Sequence, residues 1–239
     1  MSETRSPNWG IIYKLGGIAA VLAVVLAILE ILISFFPGAS EVQETVIDTF
    51  LFLQRHPLLG LRELGLVNIG INTMLIGAFT AIYAAHRGNR QEPLAALSLI
   101  IALVGLAVFY ATNRAFPMLD LSRQYATANT EAHRAILEAA GQALLSVGAS
   151  HTPGTFLAFT LTETAGLLLS IVMLRGGVFQ QVGAIAGVIG FSLLLVFEII
   201  TSFAFGINLW TTLLATVGGI ASMFWYGIAA RKLFHLSEV

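Results

Sequence analysis

The chain of 239 residues contains no cysteine. Disulfides, thiolate catalysis, iron–sulfur clusters and cysteine-ligated zinc sites are therefore excluded. Charged residues are also scarce: they make up 10% of the chain, against about 25% in a typical soluble domain. The net charge is −1 and the basic residues are scattered, so the sequence lacks the clustered basic face of a protein that binds nucleic acid.

Familiar catalytic motifs are missing as well. The sequence has no HExxH, GxSxG or P-loop motif and no arginine-rich voltage-sensing span. The five histidines are never three or four residues apart and none lies deep in an apolar block, which is unfavourable for a haem-b bundle. We interpret them, His151 included, as solvated or capping residues, and cofactors and metals stay unknown.

The chain has an excess of apolar sequence, with 57% hydrophobic residues and a mean hydropathy of +0.86. These residues form long blocks rather than the short alternation of a soluble core. Six blocks reach the length of about 20 residues that a helix needs to cross a hydrocarbon core of about 30 Å. The predicted spans are residues 12–36, 64–85, 93–113, 155–175, 180–203 and 207–230.

This pattern predicts an all-α fold, a polytopic transmembrane helical bundle of about six spans with the lipid bilayer as its solvent. We expect a single integral membrane domain over residues 1–239. The first block exceeds the about 7–15 apolar residues of a signal peptide, so it is predicted to remain as an uncleaved span.

Two connections between the spans are long, over residues 37–63 and 114–154. In both, apolar residues recur at helical spacing between polar ones, and Thr130 is placed to cap a helix in the second. The spacing predicts two amphipathic outer segments that lie on the membrane surface or cap the bundle. The alternative is that these segments hold a peripheral partner.

The distribution of lysine and arginine predicts the orientation of the chain in the membrane. If the N-terminus is inside, the inner side has seven basic and three acidic residues, whereas the outer side has five basic and seven acidic residues. We therefore expect both termini to be cytoplasmic and both long connections to face outwards.

Three carboxylates lie within the predicted spans, at Glu30, Glu163 and Glu198. An acid inside a membrane is costly, usually faces the protein interior, and indicates a functional site by default. With a helix rise of about 1.5 Å per residue, all three lie about 8–12 Å from the outer boundary. Asn68 and Asn72 share one face of the second span in the same layer. These five residues are the predicted ligand-binding site.

Three interpretations of this polar layer stay open. The glutamates pair with outer arginines such as Arg114 or Arg123, or the layer lines a pocket for a cation or small polar ligand, or one glutamate is a general acid or base. We favour the pocket, in transport or sensing, and assign no catalytic residue. The alternative function is an accessory or scaffold subunit of a membrane complex, with structural glutamates, a partner membrane subunit or a homo-oligomeric partner.

Four segments carry a similarity to a known family: NRAFPMLDLSRQYA at 113–126, TEAHR at 130–134, AAG at 139–141 and LLLSIVMLR at 167–175, which leads to Phe179. On these segments the chain resembles a family of bacterial six-span membrane proteins catalogued as a domain of unknown function. The resemblance covers most of the chain and implies a multi-pass protein of the bacterial cytoplasmic (inner) membrane. It implies no activity and no catalytic residues.

Overall fold

A computed structural model describes residues 9–34 and 44–238 of the chain. The described part contains α-helices and one π-helical turn, Thr201–Phe205, and no strand. The all-α prediction is therefore confirmed. The helices are α1 Gly10–Ser34, α2 Val46–Arg55, α3 Pro57–Glu63, α4 Leu66–Ala84, α5 Glu92–Thr112, α6 Ala115–Thr127, α7 Glu131–Leu145, α8 Phe156–Gly176, α9 Gln181–Ile200 and α10 Leu209–Ser237.

Six of these helices are long and apolar enough to cross a membrane, namely α1, α4, α5, α8, α9 and α10. In this count α5 is continuous with α6, and α9 is continuous with the π-helical turn. Large apolar side chains on their surfaces are exposed, for example Ile100, Val182 and Ile220. Water does not favour such a surface, whereas lipid does. The chain is thus a multi-pass integral membrane protein, and its orientation stays a prediction.

The helix ends lie close to the predicted span ends, with one clear difference. We expected the last span to stop at residue 230, before Arg231 and Lys232, but α10 continues to Ser237. The reason is that Leu233 is fully buried in the core and Phe234 packs against it, so these about two extra turns are held by tertiary contacts. Residues 35–36, at the end of the first predicted span, lie outside the described residues.

Small residues bring the spanning helices together, as is usual where lipid supplies no hydrophobic drive for association. Helix α1 packs on α4 and α10, α5 packs on α8, and α9 packs between α8 and α10. A side chain at Gly16 would overlap with Ala81 of α4, and one at Gly187 would overlap with Ser170 and Trp225. These close approaches all lie within one copy of the chain.

The two long connections fold into four short helices, α2, α3, α6 and α7, which form a layer over one end of the bundle. We call this end the capped end, and the opposite end, where α4, α8 and α10 finish, the uncapped end. The layer has an apolar core of its own, which includes Phe50, Leu53 and Met118. Thr45 and Thr130 cap α2 and α7 through their side chains. The amphipathic prediction is confirmed, except that residues 37–43 lie outside the described residues.

Candidate functional site

Two cavities lie one behind the other in the capped half of the protein. The vestibule has a volume of about 500 Å³ and is lined by side chains that include Glu30, Arg62 and His151. The second cavity has a volume of about 190 Å³, is not fully enclosed and lies between α1, α4, α8, α9 and α10. We call it the buried cavity after its buried polar side chains, Asn72 and Glu163. Asn68 and Phe159 line both cavities, so these two residues form the boundary between them.

The vestibule contains an ion-pair cluster centred on Arg62. Its guanidinium binds Glu30 through two nitrogens, with Nη2 at 3.1 Å from Oε1 and Nε at 3.3 Å from Oε2. Its Nη1 also lies 2.7 Å from Glu63 Oε1. The Arg62 side chain is only 8% exposed, so this is a largely buried pair rather than a surface one.

Glu30 therefore has an arginine partner from a long connection, but not the partner expected. From the sequence we considered Arg114 and Arg123 as partners, whereas in the structure Glu30 binds Arg62. The reason is topological: α3 leads directly into α4, and α4 packs along α1, so the end of α3 lies over the end of α1. The Arg114 side chain instead donates to the Leu145 carbonyl at 3.3 Å.

Glu198 is fully buried near the capped end of α9 and is held by a histidine from the loop after α7. His151 Nδ1 lies 2.6 Å from Glu198 Oε2, and Ser202 Oγ donates to Glu198 Oε1 at 3.3 Å. The imidazole also packs against Phe159 and Phe197, with ring centroids 4.5 and 4.8 Å apart. The interpretation of His151 as a solvated or capping residue was thus wrong.

The backbone of His151 is unusual as well. Its φ of 64° lies in the left-handed region, and it is the one described non-glycine residue with a positive φ. Such a conformation is uncommon for a side chain with a Cβ and persists where surrounding contacts hold it. Here the contacts are the hydrogen bond to Glu198 and the two phenylalanine rings.

Glu163 differs from the other two glutamates because a buried oxygen of its carboxyl group has no hydrogen-bond partner among the described residues. It lies on α8, is 8% exposed and lines the buried cavity. Its Oε2 forms no hydrogen bond within the described part of the chain. Most buried polar atoms are hydrogen-bonded, and leaving one without a partner costs free energy, especially for a charged group. Oε2 is itself buried, but the Glu163 side chain lines the cavity, so its carboxyl group is placed to bind something that enters there.

The wall around Glu163 is mostly apolar and aromatic. Phe159, Phe191 and Tyr226 line the cavity, together with the amide-bearing Asn68 and Asn72. Asn72 Nδ2 donates to the Asn68 carbonyl of its own helix at 2.9 Å. The cavity thus combines one carboxyl group, two amides and three aromatic rings.

The predicted site residues divide into three groups. Asn68, Asn72 and Glu163 line the buried cavity, and Asn68 also lines the vestibule. Glu30 lines the vestibule and is bound to Arg62. Glu198 lines neither cavity, but its partner His151 lines the vestibule.

Sequence reasoning missed three residues that shape this region: Arg62, His151 and Phe159. Arg62 and His151 lie in connections, 32 and 47 residues from their glutamate partners, so no spacing rule connects them. Phe159 is one of 16 phenylalanines in an apolar sequence, and only its position between the cavities distinguishes it.

No protein-family model, curated protein or solved structure matches this chain. The resemblance to a bacterial six-span family stays a prediction.

Proposed function

We propose that this integral membrane protein binds a small organic cation, such as an ammonium compound, in the buried cavity, in transport or sensing. The observation that carries the proposal is the Glu163 carboxyl group, which lines a cavity walled by aromatic rings and has a buried oxygen with no hydrogen-bond partner among the described residues. The proposal narrows the expected ligand class, a cation or small polar molecule, to one kind of cation.

The wall favours an organic cation over a metal ion. Calcium takes about six to eight oxygen ligands, and no group of three His, Asp or Glu side chains suited to a metal converges among the described residues. A quaternary or protonated amine needs less: one carboxylate for its charge and aromatic faces for its methyl or methylene groups. Phe159, Phe191 and Tyr226 supply such faces beside Glu163.

The size of the cavity limits the ligand. Its volume of about 190 Å³ is below the about 300–1,000 Å³ of sites for drug-sized molecules, so the ligand has only a few heavy atoms. Asn68 and Phe159 line both cavities, and this supports a path for the ligand through the vestibule. In the predicted orientation the vestibule opens to the outside of the cell.

Choline and its neutral isostere 3,3-dimethyl-1-butanol test the proposal, because they share a shape and differ in charge. Each is titrated into the purified protein in detergent, and binding is measured by calorimetry and by the shift in thermal midpoint. We expect choline, but not the alcohol, to bind, and Glu163→Gln to abolish binding. Glu131→Gln is the matched control, because Glu131 on α7 is 95% exposed and is not among the lining residues of either cavity.

Equal binding of choline and the alcohol, or choline binding that survives in Glu163→Gln, would contradict an organic-cation site. Binding of sodium or calcium ions with loss in Glu163→Gln would replace the organic cation by an inorganic one. The titration of Glu131→Gln shows whether the loss of any one negative charge is sufficient to abolish choline binding.

A second candidate function, as an accessory subunit of a membrane complex, is supported by the capping layer. Leu58 and Ile136 on this layer are 75% and 66% exposed. Extraction from native membranes in mild detergent, followed by mass spectrometry of the purified sample, tests it. A stoichiometric partner that is lost in Ile136→Glu supports a subunit role, and a chain that purifies alone opposes it.

A further inference from the structure

A third cavity lies at the uncapped end of the bundle, away from the vestibule and the buried cavity. Its volume is about 510 Å³. Arg231, Lys232 and His235 of α10 line one side, and the turn 177–180 between α8 and α9 lines the other. No acidic residue is among its lining residues in the described part of the chain.

The basic side chains of this cavity are available for a ligand. Within the described residues, neither Arg231 nor Lys232 forms an ion pair or a hydrogen bond through its side chain, and the same holds for His235. Arg87, at the same end of the bundle, is different because its guanidinium lies 4.4 Å from the centre of the Trp9 ring. An arginine, a lysine and an imidazole around one cavity form a site for an anion with several oxygen acceptors.

The backbone beside the cavity has the same preference. Helix α9 begins at Gln181, and its N-cap residue Gln180 makes no side-chain hydrogen bond to the first turn. The first N–H groups of a helix lack partners inside the helix, and the helix dipole favours an anion at that end. Gln180 lines the cavity, so the basic side chains of α10 and the start of α9 lie on its two sides.

The depth of the cavity indicates where the anion comes from. Arg231 lies 22 residues after Leu209, the first residue of α10. At a rise of about 1.5 Å per residue this is about 33 Å, close to the thickness of the hydrocarbon core. With Leu209 at the boundary of the hydrocarbon core on the capped side, this distance places the cavity at the level of the phospholipid phosphates on the other side. Val182 and Ile185 of α9 are 65% and 49% exposed and offer an apolar surface to acyl chains.

We propose that this cavity binds the phosphate group of an anionic phospholipid, with Arg231 and Lys232 as the main contacts. The shared chemistry is a phosphate with a net negative charge, and a lipid is favoured over free phosphate because the cavity lies at headgroup depth beside lipid-facing side chains. Basic pockets between spanning helices are suited to such headgroups. This site is independent of the organic-cation site at the capped end.

The test measures lipid retention by the full-length protein. The detergent-purified, delipidated protein is mixed with phosphatidylglycerol or phosphatidylcholine at equal concentration, and bound lipid is counted by native mass spectrometry. We expect phosphatidylglycerol to bind in preference and the double variant Arg231→Gln/Lys232→Gln to lower its affinity about 10- to 30-fold, since each basic residue near anionic lipid contributes about 1 kcal/mol.

The control is Arg175→Gln/Arg90→Gln, which removes the same charge from exposed positions that do not line the cavity. We expect it to keep the wild-type affinity. Equal loss in both double variants, or equal binding of the two lipids, would overturn the proposal, because either result indicates general surface attraction. If the double variant is not recovered folded, Arg231→Gln alone replaces it, because Arg231 is exposed.

Inorganic phosphate is the second arm. Phosphate at millimolar concentration displaces phosphatidylglycerol from the wild type, and does not bind the double variant, if the site recognises any phosphate group. Free phosphate from aqueous solution is then a ligand as well as the lipid. If phosphate does not compete while the lipid preference depends on Arg231 and Lys232, the lipid is the ligand. A phosphate effect that persists in the double variant would contradict the site.

Discussion

The two ends of the bundle are held together by different kinds of contact. Toward the uncapped end, small residues allow helices to touch, and aromatic rings fill the space between them: Trp225 is fully buried, with the Phe79 ring at a centroid distance of 6.2 Å. Toward the capped end, Glu30 and Glu198 are held by Arg62 and His151 from the connections.

The difference between the two ends separates the contacts that stabilise the bundle from the features that we propose for binding. Close packing of small residues and aromatic rings is sufficient to hold helices together in lipid, so the capped half does not need glutamates for that purpose. There the chain keeps two cavities and a carboxyl oxygen of Glu163 that has no partner among the described residues. Costly features of this kind persist where they serve binding or catalysis.

The largest expected effect is in the packed half. At Gly187 a Cβ would overlap with Ser170 Oγ and the Trp225 ring, so Gly187→Ala must separate α9 from α8 and α10. We expect a loss of stability of about 3 kcal/mol, the upper end for overpacking, measured as the free energy of unfolding in mixed micelles. Gly219→Ala is the control, since nothing lies within 4 Å of a Cβ there. Equal losses in the two variants would show that α9 is not closely packed.

The next effect is at the ion-pair cluster. Arg62→Gln leaves Glu30 and Glu63 without this cation, and we expect a loss of about 2 kcal/mol, between the values for exposed and buried pairs. A double-mutant cycle with Glu30→Gln measures the coupling between the two side chains. Additive effects of the two substitutions would contradict the pair, whereas recovery of stability in the double variant would support it.

Much of the fold follows from the sequence because the length of an apolar block is a direct signal in a membrane protein. The six blocks and the two amphipathic connections could be predicted from the length of the apolar runs and the spacing of their apolar residues. The exceptions are local: α10 runs beyond Arg231 because Leu233 is buried, and α9 continues into a π-helical turn up to Phe205. Both depend on tertiary contacts that no local pattern contains.

The candidate site follows from the sequence only in part. Counting residues along a helix gives depth, and this placed Glu30, Glu163 and Glu198 in one layer. It does not tell which neighbour each side chain meets. The structure directs Glu30 to Arg62 and Glu198 to His151, and leaves Glu163 in the cavity. The two partners come from connections whose path over the bundle is set by the packing of the whole chain.

A smaller effect separates the two buried glutamates of the capped half. Glu163→Gln removes a carboxyl with an unpartnered oxygen, so we expect stability to stay the same or to rise by up to about 1 kcal/mol. Glu198→Gln weakens the hydrogen bond to His151, and we expect a loss of about 1 kcal/mol. Thermal midpoints at pH 7 in the same detergent compare them. A clear loss in Glu163→Gln would indicate a structural partner and would weaken the cation-site proposal.

The smallest effect concerns His86, a buried polar side chain just beyond α4 in the otherwise apolar packing of the uncapped end. His86 is fully buried, its Nδ1 donates to the Ile82 carbonyl at 2.8 Å, and burial lowers the pKa of its imidazole below the ordinary 6.5. As pH falls below about 6.5, the unfolded chain takes up a proton at this residue that the folded protein does not, so stability falls until the folded pKa is reached. We expect stability to fall between pH 7 and 5, and this fall to shrink in His86→Gln. The measurement is the thermal midpoint as a function of pH, and the control is His133→Gln at an exposed position on α7. If His133→Gln changes this pH dependence as much as His86→Gln does, burial of His86 is not the cause of the loss of stability.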